Sequence, residues 1–113
     1  MPNLNYKNGR AFEYRVKKHY EQAGFTCVRM AGSHSPTDLI AWKDSPGPHG
    51  VDIVFIQCKK GAKKGYASAK DALRKLPGPP WIRRVLWENV GKKTYMHDLA
   101  CEWREEVRLN GKE

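Results

Sequence analysis

The feature that most constrains the fold is a segment, residues 51–59, that is apolar on both faces a strand would present. Side chains alternate along a strand, so Ile53 and Phe55 point to one side while Val54 and Ile56 point to the other. Strands with two apolar faces lie in the interior of a sheet that is covered on both sides. The segment therefore predicts a central strand with helices packed on both faces of its sheet.

Polar side chains occur at one end of this strand and at the start of the strand before it. Gln57 and Lys59 share a face at the end of the central strand, and Asp38 opens the apolar run of residues 39–42. Residues 43–50 contain the sequence Pro-Gly-Pro, which predicts a turn and hence a hairpin between the two strands. An antiparallel hairpin would bring Asp38, Gln57 and Lys59 to the same end of the sheet.

This end of the sheet would suit metal-dependent hydrolysis of a phosphodiester, because it would combine a carboxylate, an amide oxygen and an ammonium group. Hard oxygen ligands such as those of Asp38 and Gln57 favour Mg²⁺ or Mn²⁺. A metal in that position can neutralise the phosphate, lower the pKa of a bound water and orient it for attack. Lys59 would orient the water or stabilise the charge that develops on phosphorus.

A first helix is expected over residues 11–23, where neither proline nor glycine occurs, and Gly24 would end it. Its apolar stripe, at helical spacing, consists of Phe12, Val16 and Tyr20. Glu13 borders this stripe, because successive residues are about 100° apart around a helix. The residues alone favour an ordinary ion pair between Glu13 and Lys17, four positions on. A role as a further carboxylate of the site is the alternative.

The remaining segments predict the element order α-β-β-β-α-β-β-α. The other predicted strands cover residues 25–30, 38–42, 81–88 and 94–97, and a second helix covers residues 66–76. Asp98 is expected to cap a last helix. The buried face of that helix would consist of Leu99, Trp103 and Val107. A chain of 113 residues suits one domain. The expected fold is α/β, a single domain over residues 1–113 with a mixed five-stranded sheet flanked by helices.

The charge of the chain predicts an anionic partner. Twenty-one Lys and Arg against twelve Asp and Glu give a formal net charge of +9, which favours nucleic acid first and an anionic membrane surface second. A basic surface without a specific partner is the third possibility. Neither a signal peptide nor a transmembrane run is recognisable, so an intracellular, cytoplasmic protein is expected. The three cysteines are widely spaced and odd in number, which argues against disulfides and a zinc site. We expect Cys27, Cys58 and Cys101 to be packing residues.

The loop of residues 60–65 is basic and glycine-rich, and it directly follows Lys59. It is interpreted either as a solvated turn or as a segment that contacts phosphates. Seven basic residues are candidates for holding DNA phosphates, and their affinity would fall steeply with salt. They are Arg10, Arg29, Lys60, Lys63, Lys64, Arg83 and Arg84.

Five segments in a fixed order give the chain a family resemblance. They are residues 9–13 (GRAFE), 24–29 (GFTCVR), 32–33 (GS), 36–41 (PTDLIA) and 57–59 (QCK). Together they resemble the archaeal-type Holliday-junction resolvases, within the PD-(D/E)xK nuclease superfamily. The resemblance implies a restriction-endonuclease-like fold and a homodimer that makes paired cuts in four-way DNA junctions. It also implies Mg²⁺-dependent hydrolysis that leaves 5′-phosphate and 3′-hydroxyl ends, with no nucleotide cofactor.

The resemblance implies a role for each matching residue. Glu13 matches the metal-site carboxylate of the family's first helix, Asp38 the central aspartate ligand, and Lys59 the catalytic lysine. Ser33 matches a loop serine that contributes to cleavage, and Arg29 a basic residue shortly before it. Gln57 is included as a catalytic residue through its amide oxygen. The candidate metal ligands are Glu13, Asp38, Gln57 and the backbone carbonyl of Cys58.

Two departures from the family pattern leave other functions open. Gln57 stands where the family usually has a second acidic residue, which removes one negative charge from the site. The motif Pro36-Thr37-Asp38 contains one residue more than the usual Pro-Asp. One alternative is another PD-(D/E)xK nuclease, of restriction or repair type. The other is a basic DNA-binding module with a degenerate site.

Overall fold

The computed structural model of the protein describes residues 4–30, 37–61 and 66–109. Along these residues the chain forms two helices and six strands. In chain order they are α1 (Leu4–Gln22), β1 (Thr26–Arg29), β2 (Leu39–Asp44), β3 (Val51–Lys60), α2 (Tyr66–Arg74), β4 (Arg83–Val90), β5 (Lys93–Asp98) and β6 (Trp103–Glu106). None of the helices described has the length and apolar character needed to cross a bilayer.

The six strands form one mixed sheet in which the spatial order repeats the chain order. All neighbours are antiparallel except β3 and β4, which are parallel and joined through α2. The predicted hairpin of β2 and β3 is present, with Leu39 opposite Ile56 and Trp42 opposite Ile53. The main chain closes its turn through a 3.1 Å hydrogen bond from Ser45 N to Gly50 O. This hairpin confirms that Asp38 and the end of β3 lie at the same end of the strands. We call this end of the sheet, with Asp38, Gln57 and Lys59, the site edge.

The two helices cover opposite faces of β3, as its double apolar character predicts. Phe12 and Val16 of α1 belong to a buried core that includes Val54 and Ile56. On the other face, α2 packs against β3 and β4 and buries Leu73 completely. The predicted α/β architecture, a mixed sheet with helices on it, is therefore confirmed, and it fits the restriction-endonuclease-like fold.

Two aromatic side chains link α1 to the middle of the sheet. Trp87 of β4 is fully buried, and its Nε1–H donates to the Tyr20 hydroxyl at 3.0 Å. The ring of Phe25 meets that of Tyr20 edge-on, with their centroids 5.4 Å apart. The apolar stripe of α1 thus extends from its second turn across the sheet to β4.

The first helix is longer than the sequence predicts. It begins at Leu4 instead of Ala11 and includes Gly9. A glycine inside a helix costs about 1 kcal/mol relative to alanine, and such a cost is readily outweighed by burial of the helix's apolar face. The extra turns place Arg10 within the helix, on the same side as Glu13.

The prediction of a last helix, and with it the count of five strands, is wrong. Asp98 does make the hydrogen bond expected of a cap, because its Oδ1 accepts from Ala100 N at 3.0 Å. The same side-chain contact also closes Asx turns, and here the chain turns back through Glu102, which adopts a positive φ of 54°. β6 then pairs antiparallel with β5 and forms the sixth strand. Cys101, expected to pack in that helix, is exposed in the turn.

Candidate functional site

Asp38 is held by hydrogen bonds at three of its atoms. Its N–H donates to the Ile56 carbonyl at 2.7 Å, and its carbonyl accepts from Met30 N at 2.8 Å. Its carboxylate oxygen Oδ2 accepts from Cys58 N at 2.9 Å. Asp38 is therefore bound to both neighbouring segments of the sheet. Among the described residues, no hydrogen bond to the other carboxylate oxygen, Oδ1, is found.

The residue before Asp38 is buried and bonded to both strands of the hairpin. Thr37 is 5% exposed, and its Oγ1 lies 2.7 Å from the carbonyl of Leu39 and 2.8 Å from that of Ile56. The same oxygen accepts from Ile56 N at 3.0 Å. The sequence analysis assigned no role to Thr37. A hydroxyl residue placed directly before a candidate ligand, at the start of a strand, is the signal that could have found it.

The electrostatic surroundings of Asp38 show that two other predicted site residues lie near it. Burial raises the pKa of its carboxyl from 3.8 to about 6, and the negative charge of Glu13 adds to the rise. The hydrogen bond from Cys58 N–H lowers that pKa by less than burial raises it but by more than Glu13 does, and the positive charges of Lys59 and Arg29 lower it further. Glu13 and Lys59 are thus both within electrostatic range of Asp38, although they come from different elements of the fold.

Glu13 faces the sheet edge and does not pair along its own helix. Its Oε1 accepts from Arg29 Nε at 3.1 Å, and its side chain is 19% exposed. Lys17, the partner favoured by the residues alone, instead pairs with Glu21 at 2.9 Å. The ordinary interpretation of Glu13 is therefore wrong in its partner, and Glu13 lies beside Arg29 and near Asp38.

Gln57 contributes a buried oxygen for which no hydrogen-bond partner is found among the described residues. Its Oε1 is inaccessible to solvent, whereas buried polar atoms are nearly always hydrogen-bonded in folded proteins. Gln57 directly follows Ile56, whose carbonyl accepts from Asp38 N, and it shares a strand face with Lys59. Gln57 therefore lies at the same end of the hairpin as Asp38.

The oxygen donors at this edge fit a hard divalent cation. They are the carboxylates of Asp38 and Glu13 and the unpaired amide oxygen of Gln57, a set that suits Mg²⁺ or Mn²⁺. No group of three or more His, Cys, Asp or Glu residues able to hold a metal occurs in the part of the chain that the structure describes. The third donor would therefore be an amide. The ligand role of the Cys58 carbonyl remains a prediction.

Three of the seven predicted DNA-contacting residues lie at or near this edge. Arg10 and Arg29 line a small cleft with Glu13 beside α1. Lys60 is exposed at the end of β3. The other predicted residues of the flanking loops, Ser33, Lys63 and Lys64, lie outside the described residues.

Arg83 and Arg84 begin β4, where they lie opposite Val54 and Phe55 of β3. Arg83 donates to both carboxylate oxygens of Asp52, at 3.2 and 2.9 Å. Arg84 donates to the carbonyls of Leu76 and Ile82, at 2.8 and 3.1 Å. Both guanidinium groups have partners within the fold. A role for them in holding phosphates stays a prediction.

A second polar cluster next to the site was not predicted. Glu88 is 4% exposed and lies opposite Lys59 in the parallel pairing of β3 and β4. Its Oε1 is 3.0 Å from His97 Nε2 and accepts from Arg104 Nη2 at 3.2 Å. An acid inside an otherwise apolar strand is the sequence signal for such a cluster, because a buried carboxylate needs partners.

Two comparisons with known proteins find relatives of this chain. The restriction endonuclease family model Mrr_cat matches residues 5–78, more than half of the chain. The crossover junction endodeoxyribonuclease Hjc of Methanocaldococcus jannaschii is 31% identical over 71 residues. That match covers 63% of this chain and 48% of the archaeal protein, so the chain spans about half the length of the curated relative. No solved structure matches the chain.

The matched residues include α1, the β2–β3 hairpin and α2, and with them Glu13, Asp38, Gln57 and Lys59. The residues of the candidate site therefore lie within the segment that the family model matches, as the sequence resemblance implies. The chain belongs to the restriction endonuclease family and is similar in sequence to the archaeal Hjc.

Proposed function

We propose that the protein is a structure-selective DNA endonuclease that resolves four-way junctions by paired, metal-dependent phosphodiester hydrolysis. The products would be 5′-phosphate and 3′-hydroxyl ends. The observation that carries the proposal is the anchoring of Asp38 by Cys58 N at 2.9 Å, within electrostatic range of Glu13 and Lys59. Similarity to an archaeal crossover junction endodeoxyribonuclease supports the junction as substrate.

Each residue of the edge has a distinct role in this proposal. Asp38, Glu13 and the Gln57 amide would hold Mg²⁺ or Mn²⁺. When bound, the cation supplies positive charge at the phosphodiester and acidifies water. The Cys58 N–H fixes one Asp38 oxygen, Oδ2, and the other would be the oxygen that binds the cation. Lys59 orients the attacking water or stabilises the negative charge that grows on the phosphate oxygens.

The surrounding positive charge would bind the DNA backbone. The net charge of +9 favours a polyanion, and Arg10, Arg29 and Lys60 lie near the proposed cutting site. Two symmetric cuts in one junction require two active sites, which a homodimer of this small chain would provide. Binding should weaken steeply as salt rises, because each phosphate contact releases condensed counterions.

Two alternatives are supported by specific observations. The first is a PD-(D/E)xK nuclease that cuts linear or otherwise branched DNA, since the family match extends over the chemistry and does not define the substrate. The second is a DNA-binding module without cleavage, favoured by Gln57 and by the lack of a three-acid cluster among the described residues.

A cleavage panel separates these functions. One preparation is incubated with linear duplex, flap and four-way junction DNA at equal salt, with Mg²⁺, with Mn²⁺ and without metal. We expect metal-dependent, paired cuts in the junction alone. Equal cutting of all three substrates would exclude junction selectivity, and junction binding without cleavage would favour the binding module.

Substitution of Lys59 tests the chemistry separately from binding. K59A should abolish cleavage and leave junction binding largely intact, because one ammonium is removed from a strongly basic chain. The matched control is K75A, which removes an exposed lysine directly after α2, where Lys75 pairs with Asp71 at 2.9 Å. K75A should cut like the wild type. Full cleavage by K59A would refute the assignment of the catalytic lysine.

A further inference from the structure

The extra residue in the motif Pro36-Thr37-Asp38 has an unusual place in the sheet. In a regular antiparallel ladder, a strand N–H donates to a backbone carbonyl of its neighbour. Here Ile56 N donates to the Thr37 hydroxyl at 3.0 Å, while the Ile56 carbonyl accepts from Asp38 N at 2.7 Å. The Thr37 side chain and the Asp38 main chain thus bond to both main-chain groups of Ile56, beside the pairing of Leu39 with Ile56.

The Thr37 hydroxyl also donates a hydrogen bond to main-chain carbonyls at the start of β2. Its single proton is shared between the carbonyls of Leu39, at 2.7 Å, and Ile56, at 2.8 Å. The oxygen therefore bonds to Leu39, which follows Asp38 in the chain, and to Ile56, which lies opposite Leu39 in the hairpin. The side chain is buried, with 5% of its surface exposed, so water cannot readily replace it.

These contacts bear directly on the direction of the Asp38 carboxylate. The Asp38 main chain is fixed through its own N–H, and its Oδ2 reaches Cys58 N two residues beyond Ile56. If the Thr37 hydroxyl were removed, its three contacts with the main chain of Leu39 and Ile56 would be lost, and this main chain would be held less firmly. The distance from Asp38 Oδ2 to Cys58 N depends on that same main chain.

We propose that Thr37 is a positioning residue that orients Asp38 for divalent-metal binding through its buried hydroxyl. The inference rests on the proposed function, because it assumes that Asp38 is a metal ligand. It also gives the inserted residue of the motif a role, because its hydroxyl bonds to Leu39 and Ile56 beside Asp38.

The test compares variants that differ in the hydroxyl alone. T37V removes the hydroxyl at nearly constant shape, and T37S keeps the hydroxyl and removes the methyl group. T94V is the matched control, because Thr94 is also 5% exposed and its Oγ1 accepts a hydrogen bond, from Asn89 Nδ2 at 3.4 Å, away from the site. Mn²⁺ affinity of the free protein is measured by calorimetry and by the electron paramagnetic resonance of the unbound ion, with thermal unfolding recorded alongside.

The expected result is selective loss of metal affinity on removal of the hydroxyl. Residues that orient a metal ligand typically contribute 10- to 100-fold to affinity or activity, so T37V should bind Mn²⁺ about 10-fold or more weakly. T37S and T94V should bind it as the wild type does. If T37V does not fold, T37A replaces it as the variant without a hydroxyl.

Four outcomes would contradict the inference or its premise. Equal Mn²⁺ affinity of T37V and T37S, or loss of affinity in T37S to the level of D38N, would overturn it. A fall in the unfolding temperature of T37V without a fall in Mn²⁺ affinity would also overturn it, because the hydroxyl would then serve stability alone. Failure of the wild type itself to bind Mn²⁺ would instead contradict the proposed function, and the inference would fall with it.

Discussion

Replacement of Asp38 by asparagine should stabilise the metal-free protein at neutral pH. The pKa of the Asp38 carboxyl rises from 3.8 to about 6 on folding, chiefly through burial and also through the negative charge of Glu13. One pKa unit is worth about 1.4 kcal/mol, so the rise corresponds to at most about 3 kcal/mol. Solvent screens a side chain that is partly exposed, and we expect about 1 to 2 kcal/mol in practice. Asparagine retains an oxygen that can accept from Cys58 N.

The pH dependence distinguishes this effect from a general change in packing. The folded state binds the Asp38 proton more tightly than the unfolded state, so this carboxyl destabilises the fold progressively as pH rises from about 4 to about 6. Urea unfolding of wild type and D38N, followed by circular dichroism between pH 4 and 8, measures the difference. D38N should be more stable above pH 6, and its advantage should disappear near pH 4.

Metal provides the second half of the experiment. Because Mn²⁺ binds only the folded protein, a concentration of 100 times Kd should stabilise the wild type by about 2.7 kcal/mol, and D38N should gain far less. D44N is the control, since it removes an exposed carboxylate from the opposite end of β2. A D38N protein that is less stable than the wild type at pH 7.5, or a difference that does not change with pH, would refute the reasoning.

Two further predictions concern the same edge and the core behind it. Q57E restores a carboxylate beside Asp38 and should tighten Mn²⁺ binding on the order of tenfold, because affinity follows the number of charged ligands; calorimetry with unchanged affinity would show that Gln57 is not a ligand. Y20F leaves the buried Nε1–H of Trp87 without its acceptor and should lower the free energy of unfolding by about 1 to 3 kcal/mol. Y14F, an exposed tyrosine of the same helix, should unfold like the wild type in the same urea titration.

The placement of Asp38 could be predicted because two strong local signals agree. The double apolar face of β3 indicates a central strand, and the short proline- and glycine-containing turn leaves an antiparallel hairpin as its simplest connection. Pairing of Leu39 with Ile56 then determines which residues reach the sheet edge. The nearness of Glu13 to this edge could not be derived from helical spacing, because it depends on how α1 lies across the sheet.

The last segment shows where a pattern of side chains is ambiguous. Leu99, Trp103 and Val107 recur every four residues, which fits a helix, but β5 presents an open edge that the same residues can extend. The hydrogen bond from Ala100 N to Asp98 can form both at the start of a helix and in a turn before a strand. The turn at Glu102, with its positive φ, commits the chain to the strand. Short segments of this kind are decided by tertiary pairing and not by their own periodicity.

The sheet order has a consequence for synthesis of the chain. Every strand pairs with the one made before it, so the sheet can grow as the polypeptide emerges. The step that must wait is the pairing of β3 with β4, since α2 and the segment after it have to be made first. During that interval the most apolar strand of the protein has one unpaired edge, and such edges are prone to pair with other chains. β3, which carries Gln57 and Lys59 of the proposed site, is thus the strand through which the nascent chain is most prone to aggregate.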